Sequence, residues 1–85
     1  MSIQINRKKL QVTGIIQGVG FRPFIYRQAS QLALKGWASN TGDGVTVDIE
    51  GSPSALEAFI ETVQKKPPIN SKIESLTITN LPVCG

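Results

Sequence analysis

Near the start of the chain, apolar and polar residues alternate and then change to a helical period. From Leu10 to Ile16, apolar side chains fall on one face while Gln11 and Thr13 fall on the other, which predicts a half-buried strand. A helix follows, which Pro23 can begin because its missing N–H costs nothing there, and which Gly36 can end. Six apolar residues mark its buried face: Phe21, Phe24, Ile25, Ala29, Leu32 and Ala33.

The next segment, GWASNTGDGVTVDIEG, has the pattern of a β-hairpin. A strand around Trp37 to Asn40 leads into a glycine-rich turn, in which Thr41 and Asp43 are turn residues. The returning strand alternates, with three inward apolar residues: Val45, Val47 and Ile49. Because large apolar side chains are usually buried, Trp37 is expected in the core.

A second helix and a last strand complete the pattern. Ser52 is a candidate N-cap with Pro53 at the first helical position, and Pro67 with Pro68 ends the helix. The apolar face of this helix consists of Leu56, Phe59, Ile60 and Val63, with Phe59 expected in the core. The isoleucines and threonines from Ile73 to Ile78 predict a strand.

The resulting order, β-α-β-β-α-β, predicts an α+β ferredoxin-like fold. Two helices with one apolar face each would cover one side of a four-stranded antiparallel sheet, giving a two-layer sandwich. Right-handed crossovers would place the first and third strands side by side. With 85 residues and no internal repeat or linker, residues 1–85 are expected to form a single domain.

Composition excludes several kinds of chemistry. The chain has no histidine, so neither a Ser-His nor a Cys-His nucleophile pair can form within it, and Cys84 is its only cysteine. A zinc or other nitrogen/sulfur metal site is therefore not expected. No apolar run approaches the roughly 20 residues of a membrane span, and a cytoplasmic location is expected.

The formal net charge of +3 favours an anionic ligand. Arg7, Lys8 and Lys9 form a small basic cluster, which is more often a solvated strand entry than a nucleic-acid site. RNA-binding ferredoxin-like sheets carry stacking aromatics on the third strand, whereas Val45, Val47 and Ile49 here alternate with polar residues. RNA binding remains an alternative, but no nucleic-acid partner is expected.

The loop between the first strand and the first helix, in IIQGVGFRPF, has the residues of an anion cradle. Gly18 and Gly20 let successive backbone N–H groups turn into one concavity at a helix N-terminus, and Arg22 adds a guanidinium able to bind two oxygens of a phosphate. The loop lacks the Gly-Lys-Ser/Thr of a nucleotide P-loop and the third glycine of a dinucleotide fingerprint, where Pro23 stands instead. From the residues alone, a plain tight connection is an equal alternative.

Two segments together resemble the signatures of the acylphosphatases: GIIQGVGFR, residues 14–22, and GWASNTGDGVTVDIEG, residues 36–51. The resemblance runs from about Leu10 to Ile78. It implies that Arg22 is the catalytic arginine that binds phosphate and that Asn40 orients the attacking water. It also implies a phosphate-binding loop of Gln17, Gly18, Val19, Gly20, Phe21 and Arg22, with neither cofactor nor metal.

Residues 18–24, GVGFRPF, and Pro67-Pro68-Ile69 are most similar to one branch of this family, the N-terminal acylphosphatase-like domain of the hydrogenase-maturation carbamoyltransferases HypF. That resemblance implies carbamoyl phosphate as the substrate, downstream domains of a carbamoyltransferase as partners, and an excised N-terminal domain. A domain that only binds carbamoyl phosphate, or docks on the rest of a larger enzyme, is the alternative to a hydrolase. Acylphosphatases usually add a short closing strand, for which only LPVCG remains here.

Overall fold

The fold follows the predicted order of strands and helices. A computed structural model describes residues 4–16 and 20–83. They form β1 (Asn6–Ile15), α1 (Phe21–Gln31), β2 (Lys35–Asn40), β3 (Gly44–Gly51), α2 (Pro53–Lys65) and β4 (Lys72–Leu81). The four strands make one antiparallel sheet in the order β2-β3-β1-β4, so the first and third strands are neighbours as the crossovers predict. The predicted ferredoxin-like α+β fold is confirmed.

The hydrophobic core lies between one face of the sheet and both helices. Alternation in β1 and β3 delivers buried residues to this face, while α1 and α2 each contribute one apolar stripe. Phe59 is fully buried, as predicted. The core comprises Leu10, Val12, Ile16, Phe21, Phe24, Ile25, Leu34, Ala38, Val45, Val47, Ile49, Leu56, Phe59 and Val63.

The prediction that Trp37 is a core residue is wrong, because the residue is 50% exposed. In β2 it is the small neighbour Ala38 that faces the core, opposite Val47 of β3. Since successive side chains of a strand point to opposite faces, Trp37 must then lie on the outer face, opposite Asp48.

Helix α1 begins and ends earlier than the sequence predicts. It begins at Phe21, so Pro23 is the third helical residue rather than the first. It ends at Gln31 in a Schellman motif: the Leu34 N–H donates to the Ala29 carbonyl at 2.8 Å, and Ala33 adopts a left-handed φ of 56°. Gly36, the predicted stop, lies in β2 instead.

Helix α2 begins as predicted, because the Ser52 hydroxyl accepts a hydrogen bond from the Ala55 N–H at 3.2 Å and Pro53 is the first helical residue. No helix among residues 4–16 and 20–83 is long and apolar enough to cross a membrane.

An ion pair on the outer face of the sheet is largely shielded from water. Arg7 of β1 donates two hydrogen bonds to Asp48 of β3, from Nε to Oδ1 at 2.9 Å and from Nη2 to Oδ2 at 2.6 Å. These hydrogen bonds hold the pKa of the Asp48 carboxyl below its usual value, although burial acts in the opposite direction. Arg7, one of the three residues of the basic cluster, is therefore engaged in the fold.

Candidate functional site

The start of α1 leaves several backbone N–H groups without an intrahelical partner. The first helical hydrogen bond runs from the Phe24 N–H to the Gly20 carbonyl at 3.1 Å, which leaves the N–H groups of Phe21 and Arg22 outside the helical ladder. Gly20, the N-cap, has φ 78°, a left-handed conformation that glycine adopts at little cost, and it supplies no side-chain cap. The first turn contains no acidic residue, so no carboxylate in it competes for these donors.

The predicted phosphate-binding loop is described only in part. Gln17, Gly18 and Val19 lie outside the described residues, as does Cys84. Gly20, Phe21 and Arg22 lie together at the start of α1. The Phe21 side chain is buried and its ring contacts that of Phe24, with centroids 5.8 Å apart, so the backbone of Phe21 is what it can offer to a ligand.

Arg22 lies in the first turn of α1 with an exposed side chain. Among residues 4–16 and 20–83, no carboxylate or carbonyl accepts a hydrogen bond from its guanidinium. Its five N–H donors are therefore available to an anion, with no internal ion pair to break in that part of the chain.

Asn40 is the last residue of β2, and its side chain is exposed. The turn after it is closed by the Thr41 N–H, which donates to the Gly44 carbonyl at 2.8 Å. A further hydrogen bond, from the Gly14 N–H to the Asp43 carbonyl at 3.2 Å, ties the turn to the end of β1. Thr41 and Asp43 are turn residues, as predicted, and the hairpin turn lies beside the strand end from which the glycine loop departs.

The register between α1 and β2 brings Arg22 and Asn40 to the same end of the sheet. The Tyr26 hydroxyl contacts both backbone groups of Ala38, at 3.2 and 3.3 Å. Arg22 precedes Tyr26 by one turn, about 6 Å along the helix. Asn40 follows Ala38 by two residues, about 6.6 Å along the strand. Because α1 runs opposite to β2, these two steps go in the same direction and have nearly the same length.

Asn40 also points to the helical side of the sheet. It pairs with Val45, whose side chain is buried in the core, and residues directly opposite in antiparallel strands share a face. An exposed amide, an exposed guanidinium and uncapped N–H groups thus surround one corner of the molecule. Such a set of donors can hold an anion with several oxygens and bind a water beside it.

Tyr26 is a residue at this corner that the sequence did not single out. Its contact with Ala38 joins residues 12 apart, beyond the reach of any helical spacing rule. The available signal was its position four residues after Arg22, which places both side chains on the same face of α1.

Comparison with known proteins gives consistent matches. Residues 8–84 match the family model described as acylphosphatase. The chain is 40% identical over 76 residues to an acylphosphatase of Leuconostoc mesenteroides, covering 88% of this chain and 84% of that protein. It is 42% identical over 74 residues to the carbamoyltransferase HypF of Synechocystis, covering 87% of this chain and 10% of that protein.

Among solved structures, a full-length HypF in its phosphate- and nucleotide-bound form superposes with a TM-score of 0.95 at 34% identity, covering 99% of this chain and 11% of that one. The chain spans about a tenth of the length of the carbamoyltransferases that it matches.

Proposed function

The chain belongs to the acylphosphatase family, and we propose that it hydrolyses the carboxyl–phosphate bond of acyl phosphates, with carbamoyl phosphate as the natural substrate. The choice of carbamoyl phosphate is supported by the similarity to HypF carbamoyltransferases, and by the motif GVGFRPF at residues 18–24. The expected role is that of the N-terminal domain of such an enzyme, with the downstream domains as partners.

The observation that carries the proposal is the shared position of Arg22 and Asn40 beside the uncapped start of α1. In this proposal, the N–H groups of the loop from Gln17 to Phe21 and the guanidinium of Arg22 bind the phosphoryl oxygens. The phosphoryl oxygens carry most of the charge in phosphoryl transfer, so fixed donors aimed at them stabilise the transition state.

Asn40 orients the water that attacks phosphorus. The water oxygen forms a bond to phosphorus while the bond from phosphorus to the carboxylate oxygen breaks, and the electron pair leaves with the carboxylate. A phosphoryl oxygen accepts the proton of the water, giving inorganic phosphate. No protein nucleophile is required, because a carboxylate is already a good leaving group and positioning supplies much of the acceleration.

The two residues can be tested separately by steady-state hydrolysis of benzoyl and carbamoyl phosphate. Arg22→Ala is expected to lower kcat/KM by at least 100-fold, about 3 kcal/mol, and to weaken inhibition by inorganic phosphate. Asn40→Ala is expected to lower kcat by a similar factor while leaving phosphate inhibition within about twofold, because it contacts water rather than phosphate.

Two control variants match these changes. Arg27→Ala removes another exposed arginine from α1, and Asn80→Ala removes an asparagine at the opposite end of the sheet, where it bonds Lys8. Both should keep wild-type turnover. Wild-type activity in Arg22→Ala or Asn40→Ala would contradict the roles assigned to them.

A phosphate-binding or docking domain without turnover is the second candidate. It is supported by the chain's match to only about a tenth of each HypF relative, because the remaining nine tenths of such a protein can carry the turnover. Binding of inorganic phosphate by a wild-type chain that does not hydrolyse either substrate would establish that candidate in place of the hydrolase.

A further inference from the structure

The Tyr26 hydroxyl bridges α1 to the open edge of the sheet. It donates to the Ala38 carbonyl at 3.3 Å and accepts from the Ala38 N–H at 3.2 Å. Strand β2 is the outermost strand on this side, with β3 as its sheet neighbour. Because the N–H and C=O of one residue in an antiparallel strand point the same way, both Ala38 groups face away from β3 and are satisfied by a single side chain.

Apolar residues line most of the space between α1 and β2 beside this bridge. A groove of about 250 Å³ separates the two elements and is lined largely by aliphatic groups such as those of Ile25, Ala29 and Leu34. Apolar contacts are not directional and allow two elements to slide, whereas a hydroxyl that bonds both groups of one residue fixes their register.

The two residues joined by this bridge, Tyr26 and Ala38, are close in sequence to the two proposed catalytic residues. Arg22 lies one turn before Tyr26 on the helix, and Asn40 lies two residues after Ala38 on the strand. We propose that Tyr26 is a positioning residue that fixes the separation between the phosphate-binding Arg22 and the water-orienting Asn40, an inference that rests on the proposed function. A displacement of about 1 Å in such an arrangement can lower a rate about 100-fold.

Tyr26→Phe removes the hydroxyl and keeps the ring. Tyr26 is 44% exposed, its ring is retained and its two hydrogen bonds to Ala38 are only partly buried, so the variant is expected to fold. We expect kcat for benzoyl phosphate to fall about tenfold, while KM and the inhibition constant of inorganic phosphate stay within twofold. Phosphate binding would be preserved because its described donors, the Phe21 N–H and Arg22, lie at the start of α1, whereas Asn40 lies on β2.

Thr62→Val is the matched control. The Thr62 hydroxyl donates to the Ala58 carbonyl at 2.9 Å within α2, so the variant also loses one hydrogen bond from a hydroxyl to a backbone carbonyl. It should keep wild-type kcat. Three results would overturn the positioning role. They are an unchanged kcat in Tyr26→Phe, a rise in KM in Tyr26→Phe as large as its fall in kcat, and a fall in kcat in Thr62→Val as large as that in Tyr26→Phe.

A second readout separates this inference from the proposed function. In ¹⁵N-labelled protein titrated with inorganic phosphate, the signal of the Asn40 side-chain amide should shift in the wild type and shift less in Tyr26→Phe, with the same phosphate affinity. If the wild type hydrolyses neither substrate, the proposed hydrolase function fails. Whether or not the wild type hydrolyses a substrate, an identical Asn40 shift in both proteins would overturn the positioning of Asn40 by Tyr26.

Discussion

Replacing Arg7 by methionine should destabilise the protein much more than replacing an exposed lysine. Arg7 donates two hydrogen bonds to Asp48, whose residue surface is only 7% exposed. A third hydrogen bond runs from Arg7 Nη1 to the Pro82 carbonyl at 3.2 Å, so the same guanidinium also holds the chain that follows β4. Methionine keeps much of the length and apolar surface of the side chain while removing the charge and every donor.

The expected magnitude follows from what remains buried. Removing one partner of a buried ion pair typically costs about 3–5 kcal/mol because the other charge is left uncompensated. The Arg7 side chain is 23% exposed, so water can replace part of the lost interaction. We therefore expect the free energy of unfolding at pH 7 to fall by about 2–3 kcal/mol. Asp48→Asn, which leaves a neutral amide and an Arg7 that solvent can reach, should cost less, about 1–2 kcal/mol.

The contribution of the Arg7–Asp48 pair to the free energy of unfolding should decrease as the pH falls. The pKa of Asp48 is lowered in the folded state, chiefly by the hydrogen bonds from Arg7, so its contribution to stability is present above the unfolded pKa of about 3.9. That contribution is lost as the pH falls through the folded pKa. In Arg7→Met the guanidinium is gone and burial favours the neutral acid, so protonation relieves the buried charge. The difference between wild type and Arg7→Met should therefore shrink between pH 7 and pH 3.5.

Urea denaturation followed by circular dichroism at several pH values measures both effects. Lys65→Met serves as the control, because Lys65 pairs with Glu61 at 3.4 Å on an exposed helix surface, with side chains 71% and 66% exposed. It should cost less than about 0.5 kcal/mol. An Arg7→Met variant that costs no more than Lys65→Met, or that loses the same stability at pH 3.5 as at pH 7, would contradict the stabilising role of the ion pair.

Two further stability predictions concern backbone conformation, and the same denaturation assay measures both. Gly14→Ala should cost about 3 kcal/mol or more, because Gly14 has φ 135° and an added Cβ would overlap the Lys72 carbonyl oxygen. Gly42→Ala, where an added Cβ meets nothing within 4 Å, is its control and should stay within about 1 kcal/mol of wild type. Ala33→Gly should raise the free energy of unfolding by about 1 kcal/mol, since Ala33 holds a left-handed φ of 56°. A loss of stability in Ala33→Gly would contradict that account of the helix end.

Much of the candidate site was predictable because its residues lie at element boundaries. The glycine loop precedes a helix, so Arg22 was expected beside the start of that helix, and Asn40 was expected to end a strand of the hairpin. Their assigned roles came from resemblance and stay predictions. The Tyr26 contact could not be predicted, because it depends on how α1 lies across β2.

Local sequence patterns were sufficient to predict the element order and most of the core. The period of two in β1 and β3, and the period of 3.6 in the helices, fix which side chains share a face whatever the tertiary context. This is why the buried positions of Val45, Val47 and Phe59 were correctly predicted.

Where local sequence signals compete, only the tertiary structure shows which residue is buried. Trp37 and Ala38 are adjacent in β2, and only the pairing of Ala38 with Val47 determines that the larger side chain faces outward. Arg7 and Asp48 lie 41 residues apart, and only the register of β1 against β3 converts a basic cluster and an acidic strand residue into a shielded ion pair. Local periodicity assigns faces to elements, but the pairing of one element with another sets which faces and side chains meet.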